Sequence, residues 1–173
     1  MNELSPVYWA KRPLERYADF SGRAPRAEFW WYVLAMIILS IVAQILDSII
    51  GVKLAGPYGL FSILVSLGLL VPNIAVAVRR LHDTNRTGWW ILMPIVPYCL
   101  AFVFGGGAML GGAAAGSAMG TGAGLGLAMI FMLIGLGCAI AVLVFYCLAG
   151  TPGDNRFGPD PYGSARTTTV AAE

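Results

Sequence analysis

Histidine occurs once in this chain, and it stands in the densest run of charge, Arg79-Arg80-Leu81-His82-Asp83-Thr84-Asn85-Arg86. An imidazole beside a carboxylate invites comparison with a Ser–His–Asp relay or a metal centre. Adjacent side chains on a helix diverge, however, so Asp83 is badly placed to orient His82, and no serine is marked out as its nucleophile. A single histidine excludes a His-rich metal site, and Cys99, Cys138 and Cys147 form no chelating pattern. Cys138 and Cys147 are nine residues apart, on opposite sides of one helix. The Gly/Ala tract of residues 105–126 lacks the lysine and the strand context of a phosphate-binding loop. The chemistry left to the charged run is ion pairing and hydrogen bonding, with His82 able to titrate near neutrality where exposed. No enzymatic activity, cofactor or metal is expected, and no nucleic-acid partner.

A second group of polar residues lies within apolar sequence. Ser40, Gln44, Asp47 and Ser48 recur at helical spacing, and Ser62, Ser66 and Asn73 supply a matching face further on. Polar groups at such positions should face protein or water rather than lipid. Interhelical hydrogen bonding, with Asp47 wet at the far surface, is the plainer expectation. A proton or ion path through Asp47 is the alternative.

The elements that carry these groups follow from composition. The chain has 173 residues, 58% hydrophobic and only 12% charged, where an ordinary soluble domain has about a quarter charged. None of residues 87–153 is charged, nor any of residues 29–46. Uncharged apolar runs of about 18 residues or more read as transmembrane helices, and so short a chain could not hide this much apolar surface in a soluble core. A cleavable signal peptide is not expected, because the first apolar run begins only near Phe29, is too long, and lacks a small-x-small cleavage site.

The expected fold is therefore an all-α membrane protein with four transmembrane helices. The spans are residues 29–50, residues 59–78, a third from Trp89, and residues 125–149, with the third and fourth meeting in a far-side turn inside the Gly/Ala tract. Gly112, Gly116, Gly120 and Gly124 recur every four residues there, a spacing that lets helix backbones approach in lipid. Pro72, Pro94 and Pro97 should kink their helices. Residues 51–58 form the other far-side turn. Arg79, Arg80, Asp83 and Arg86 must lie at a water-facing hinge, since a lone charge at the bilayer centre costs about 2.5–3.5 kcal/mol. Ahead of the first span, Pro13 suits the first turn of a short helix, with Leu14, Tyr17 and Ala18 on one face. This segment is either a surface helix or a loose tail. Pro25 can open the first span.

Of eleven Lys and Arg residues, only Lys53 falls on the far side of a four-span chain. The positive-inside rule then places both termini and the hinge in the cytoplasm, whereas five spans would export Arg156 and Arg166. The expected organisation is residues 1–28 as a cytoplasmic or interfacial segment, residues 29–149 as the four-helix domain, and residues 150–173 as a cytoplasmic tail.

Three ordered motifs carry a family resemblance. They are Phe20-Ser21-Gly22-Arg23 with Glu28-Phe29-Trp30-Trp31; Arg79-Arg80-Leu81-His82-Asp83 with Gly88-Trp89-Trp90; and Gly150-Thr151-Pro152-Gly153 with Asn155-Arg156-Phe157-Gly158-Pro159-Asp160-Pro161. Together, across residues 20–161, they resemble the bacterial inner-membrane proteins catalogued as domain of unknown function 805. The resemblance implies a small helical protein of the bacterial inner membrane and no established reaction. The family commonly has Ser where Pro25 stands and Gly where Asn85 stands. Pro25 leaves Glu28 without a capping-box role and so available to another partner, and Asn tolerates a left-handed turn.

Arg23, Glu28, Arg79, Arg80, His82, Asp83, Arg86, Asn155 and Arg156 are thus expected to form a polar cytoplasmic platform latching the tails to the hinge. Its excess arginines suit anionic lipid headgroups or a protein partner. The expected role is a non-enzymatic binding or accessory component that contacts membrane lipid and a partner protein or itself. The alternative is a small oligomeric transporter or channel using Ser40, Gln44, Asp47 and Asn73.

Overall fold

Ser5 opens the described chain by capping a helix, its hydroxyl accepting from the Tyr8 amide at 3.2 Å. Pro6 occupies the first helical turn, where its missing N–H costs nothing. This helix, α1 (Pro6–Glu15), carries Pro13 near its end rather than at its start, which corrects the expected start. Trp9 and Pro13 are buried. The computed structural model describes residues 5–51, 53–55, 58–115 and 118–162. Pro57, Gly116 and Arg166 lie outside the described residues.

Four helices are long and apolar enough to cross a membrane. They are α2 (Arg26–Ile50), α3 (Leu60–Asp83), α4 (Leu92–Ala115) and α5 (Ala118–Cys147). At 1.5 Å per residue, the 25 residues of α2 reach about 37 Å, more than the roughly 30 Å of a hydrocarbon core. Pro25 stands at the N-cap of α2, and Gly51 ends it in the left-handed conformation. Between α2 and α3, a short antiparallel ladder joins β1 (Lys53–Ala55) to β2 (Tyr58–Gly59).

By contact the chain forms two units, Met1–Gly88 with Ala149–Glu173, and Trp89–Leu148. In the first, α1 and α3 both pack on α2. The α2 carboxylate that was expected to be wet is buried instead. Asp47 is only 5% exposed, and its two oxygens accept from the amides of Phe61 and Ser62, each at 2.9 Å. No side chain of Gly59 can cap α3, so a carboxylate from the neighbouring helix satisfies amides that would otherwise be orphaned. Ser66 donates back to the Ser62 carbonyl and Ser48 to the Gln44 carbonyl, within their own helices.

Pro72 lies inside α3 and is buried. It cannot donate to the carbonyl four residues back, that of Gly68. The Tyr17 hydroxyl, arriving from just beyond α1, donates to this carbonyl.

In the second unit, α4 packs along α5. Pro94 falls in the first turn of α4, where no intrahelical donor is lost, so the expected kink has no cause there; only Pro97 is interior. Helix continues through most of the Gly/Ala tract. The last described residues of α4 and first of α5 are Ala115 and Ala118, so the fourth span begins earlier than residue 125. At Gly124, a Cβ would fall 3.2 Å from the Phe104 carbonyl and onto the Ala108 methyl. Close packing of this kind offsets the poor intrinsic helix propensity of glycine. The rings of Phe104 and Phe131 stack at 5.5 Å alongside.

Candidate functional site

The charged run does not form a loop. Helix α3 continues through Arg79 and Arg80 to Asp83, and both arginines have no solvent exposure at all. The expectation that they sit in water is therefore corrected. Guanidinium groups are tolerated here because the protein itself supplies the acceptors, so insertion costs measured against lipid do not apply. Their place in the closing turns of α3 also sets positive charge against the negative end of the helix dipole.

Two carboxylates organise the site, each between two arginines. Glu28, in the first turn of α2, accepts from Arg79 Nη2 at 3.0 Å, and its other oxygen lies 3.5 Å from Arg12 Nε on α1. Asp83 accepts from Arg23 Nε at 2.9 Å and, on its second oxygen, from Arg80 Nη1. Each cluster has one guanidinium more than it has carboxylates, and backbone carbonyls take up several of the remaining donors, while Arg79 Nε is buried without a hydrogen bond. Arg79 Nη1 donates to Asp19 and Arg16 carbonyls at 2.8 and 3.3 Å. Arg23 donates to those of Gly153 and Thr151, both at 2.6 Å, and Arg80 to that of Ala24 at 3.4 Å. In the turn after α1, the Ser21 hydroxyl first, and Arg16 second, hold the Asp19 carboxyl well below the usual carboxylate range.

The segment from Gly150 to Tyr162 closes on this cluster as a strap. Thr151 donates to the Asp83 carbonyl through its amide at 2.8 Å and its hydroxyl at 3.2 Å. Asn155 donates to the His82 carbonyl at 2.9 Å. Gly150 is required by space: a Cβ would lie 2.6 Å from the Asp83 carboxyl carbon. Asn85 adopts φ 58°, the left-handed turn expected of it, and its carbonyl accepts from Arg156 at 3.0 Å.

Among the described residues, no serine, threonine or cysteine side chain hydrogen-bonds to the His82 ring. Its Nδ1 lies 3.2 Å from the Gly22 carbonyl, which can only accept, so Nδ1 carries the hydrogen. The ring stacks on Phe157 with centroids 3.9 Å apart and planes 2° from parallel, and the Arg156 guanidinium lies 4.7 Å from the same Phe157 ring. A cavity of about 240 Å³ opens beside the strap, bordered by Arg23, Arg26, Asp83, Thr151, Asp160 and Tyr162. No cluster of three or more metal-ligating side chains occurs among the described residues.

Eight of the nine platform residues singled out in the sequence thus interlock through one another or through the backbone that carries them. Arg86 stands nearer the edge, donating to the Thr84 carbonyl at 3.3 Å. Missing from the expected set were Arg12, Thr151 and Phe157. Thr151 and Phe157 lie within the recognised motifs, and a flat aromatic beside a lone histidine was a readable signal. Arg12 gave none, because its role depends on where α1 packs. Within the membrane, Ser40, Gln44 and Asn73 border one groove while Asp47 turns to α3. Ser40 and Gln44 also border a smaller pocket with Ser62, whose amide donates to Asp47, and with Ser66.

The family described as protein of unknown function (DUF805) matches residues 17–159. Two inner membrane proteins of Escherichia coli are similar along nearly their whole length. YhaH is 33% identical over 153 residues, 88% of this chain and 95% of its own. YhaI is 33% identical over 159 residues, 91% of this chain and 99% of its own. The uncharacterized E. coli protein YiiR is 30% identical over 150 residues, 82% of this chain and 85% of its own. No solved structure matches. With four apolar helices and relatives named for the inner membrane, the chain is a multi-pass protein of the bacterial inner membrane, and it belongs to the DUF805 family.

Proposed function

We propose that this protein is a non-enzymatic binding component of the inner membrane, with both termini and the hinge on the cytoplasmic side, that engages a partner protein through the latched platform. The orientation rests on ten of the eleven Lys and Arg residues falling on one side of a four-span chain. One observation carries the binding role. Glu28 and Asp83, at 0% and 3% exposure, are committed to arginines inside the protein and so serve the architecture of the platform. What faces outward is a surface with Arg26 exposed at the border of the cavity of about 240 Å³ and Arg156 exposed elsewhere on the strap. A concave surface with a few convergent polar groups suits binding. The transport alternative loses its ionisable group, since both oxygens of Asp47 are engaged in capping α3.

Purification in mild detergent followed by mass spectrometry tests this directly. A protein that co-purifies with the parent and with Asp47→Asn, but is lost with Arg156→Ala, is the expected result. Solute flux into proteoliposomes that vanishes on Asp47→Asn overturns the binding role in favour of transport.

A further inference from the structure

We infer that the membrane-embedded groove on α2 and α3 is a docking surface for a second copy of this chain. The groove measures about 430 Å³. Its α2 wall consists of two rows at four-residue spacing, Tyr32-Met36-Ser40-Gln44 and Val33-Ile37-Ile41, and Asn73 of α3 completes the lining. Neighbouring four-residue ridges with a furrow between them are the relief into which the ridge of another helix packs.

The polar groups in this furrow lack partners. The Tyr32 side chain is 1% exposed, yet its hydroxyl has no hydrogen bond. Ser40, Gln44 and Asn73 are exposed, and no partner for their side chains occurs among the described residues. Inside a bilayer each such group costs free energy until another polar group meets it.

Depth and symmetry select the occupant. Asn73 stands near the middle of α3, so phospholipid headgroups, about 15 Å away at the edge of the hydrocarbon, cannot reach it. A polar side chain on another transmembrane helix can. Two copies inserted the same way round are related by an axis along the membrane normal, which brings like residues together at like depth. Like charges would repel in that arrangement, but no lining residue is charged. A carboxamide both donates and accepts, so Asn73 and Gln44 can each pair with their own counterparts.

The test uses the full chain with Cys99, Cys138 and Cys147 replaced by serine, reconstituted at high lipid-to-protein ratio. Ser40→Cys and Asn73→Cys are compared on oxidation with Val42→Cys, a control of similar depth that is 46% exposed and roughly 160° around α2 from Ser40 and Gln44. Disulfide-linked dimer in the first two at several times the control level is expected. In liposomes, energy transfer between labelled copies should show the dimer dissociation constant rising on the order of tenfold in Gln44→Leu/Asn73→Leu. Cross-linking at or below the control level overturns the proposal, as does an unchanged dissociation constant. A monomer carrying a lipid-soluble compound that the double variant releases also overturns it, and assigns the groove to that compound. Should the double variant fail to accumulate, the cysteine comparison decides alone.

Discussion

A proline inside a membrane helix strips one carbonyl of its donor, and no water is at hand to replace it. In this chain the carbonyl is that of Gly68, the proline is Pro72, and the donor is the Tyr17 hydroxyl. The interaction explains how the turn after α1 is fixed to α3. It also predicts a coupling. Tyr17→Phe should destabilise the protein by about 1–3 kcal/mol in detergent melts, the usual cost of an acceptor left without a donor away from water. In a Pro72→Ala background, where residue 72 regains its N–H, the same change should be nearly silent. Additive melting shifts would show that the hydroxyl serves some other group. Pro72 was legible in the sequence as a break in the α3 hydrogen-bond ladder. Tyr17 was legible only as an aromatic, because nothing in one dimension says which distant hydroxyl answers a given carbonyl.

Elements show a similar division. Four apolar runs announced four helices, yet two of their limits moved for physical reasons. Helix α3 extends to Asp83 because Glu28, Asp83 and several carbonyls shelter its arginines. Helix α5 starts by Ala118 because glycines that weaken a helix in water permit close helix contact in lipid. The start of α3 depends on a neighbour. Asp47 supplies from α2 the cap that Gly59 lacks. Asp47→Asn keeps a single acceptor oxygen where two are used, so the melting transition should fall by an amount equivalent to about 0.5–2 kcal/mol, the range for lost caps. Hydrogen exchange should accelerate first at the amides of Phe61 and Ser62. Unaltered exchange there would remove Asp47 from the capping role.

At the scale of the molecule, the two arginine–carboxylate clusters tie together α1, the start of α2, the end of α3 and the strap. The charges of this assembly were readable in the sequence, as was their tendency to pair with one another. Their burial was not, because scales that weigh arginine against lipid are silent about carbonyls brought from more than fifty residues away. Asp83→Ala leaves Arg23 and Arg80 buried without a counter-charge. It should cost roughly 3–5 kcal/mol, a drop in melting temperature on the order of 10 °C for a chain of this size. Exposed Arg156, replaced by alanine, should change stability by less than about 1 kcal/mol. Equal melting of Asp83→Ala and the parent would mean that the clusters do not hold the fold.

The strap is translated after every helix it helps to secure. Thr151 and Gly153 supply the carbonyls that receive Arg23, whose own codon is read more than a hundred positions earlier. At ordinary elongation speeds a nascent chain waits on the order of ten seconds between making Asp83 and making the residues that seal it. For that interval the ionic core stands open, so a ribosome stalled short of residue 150 releases an inserted but unsealed product. Surveillance proteases could tell it from finished protein by this one missing closure.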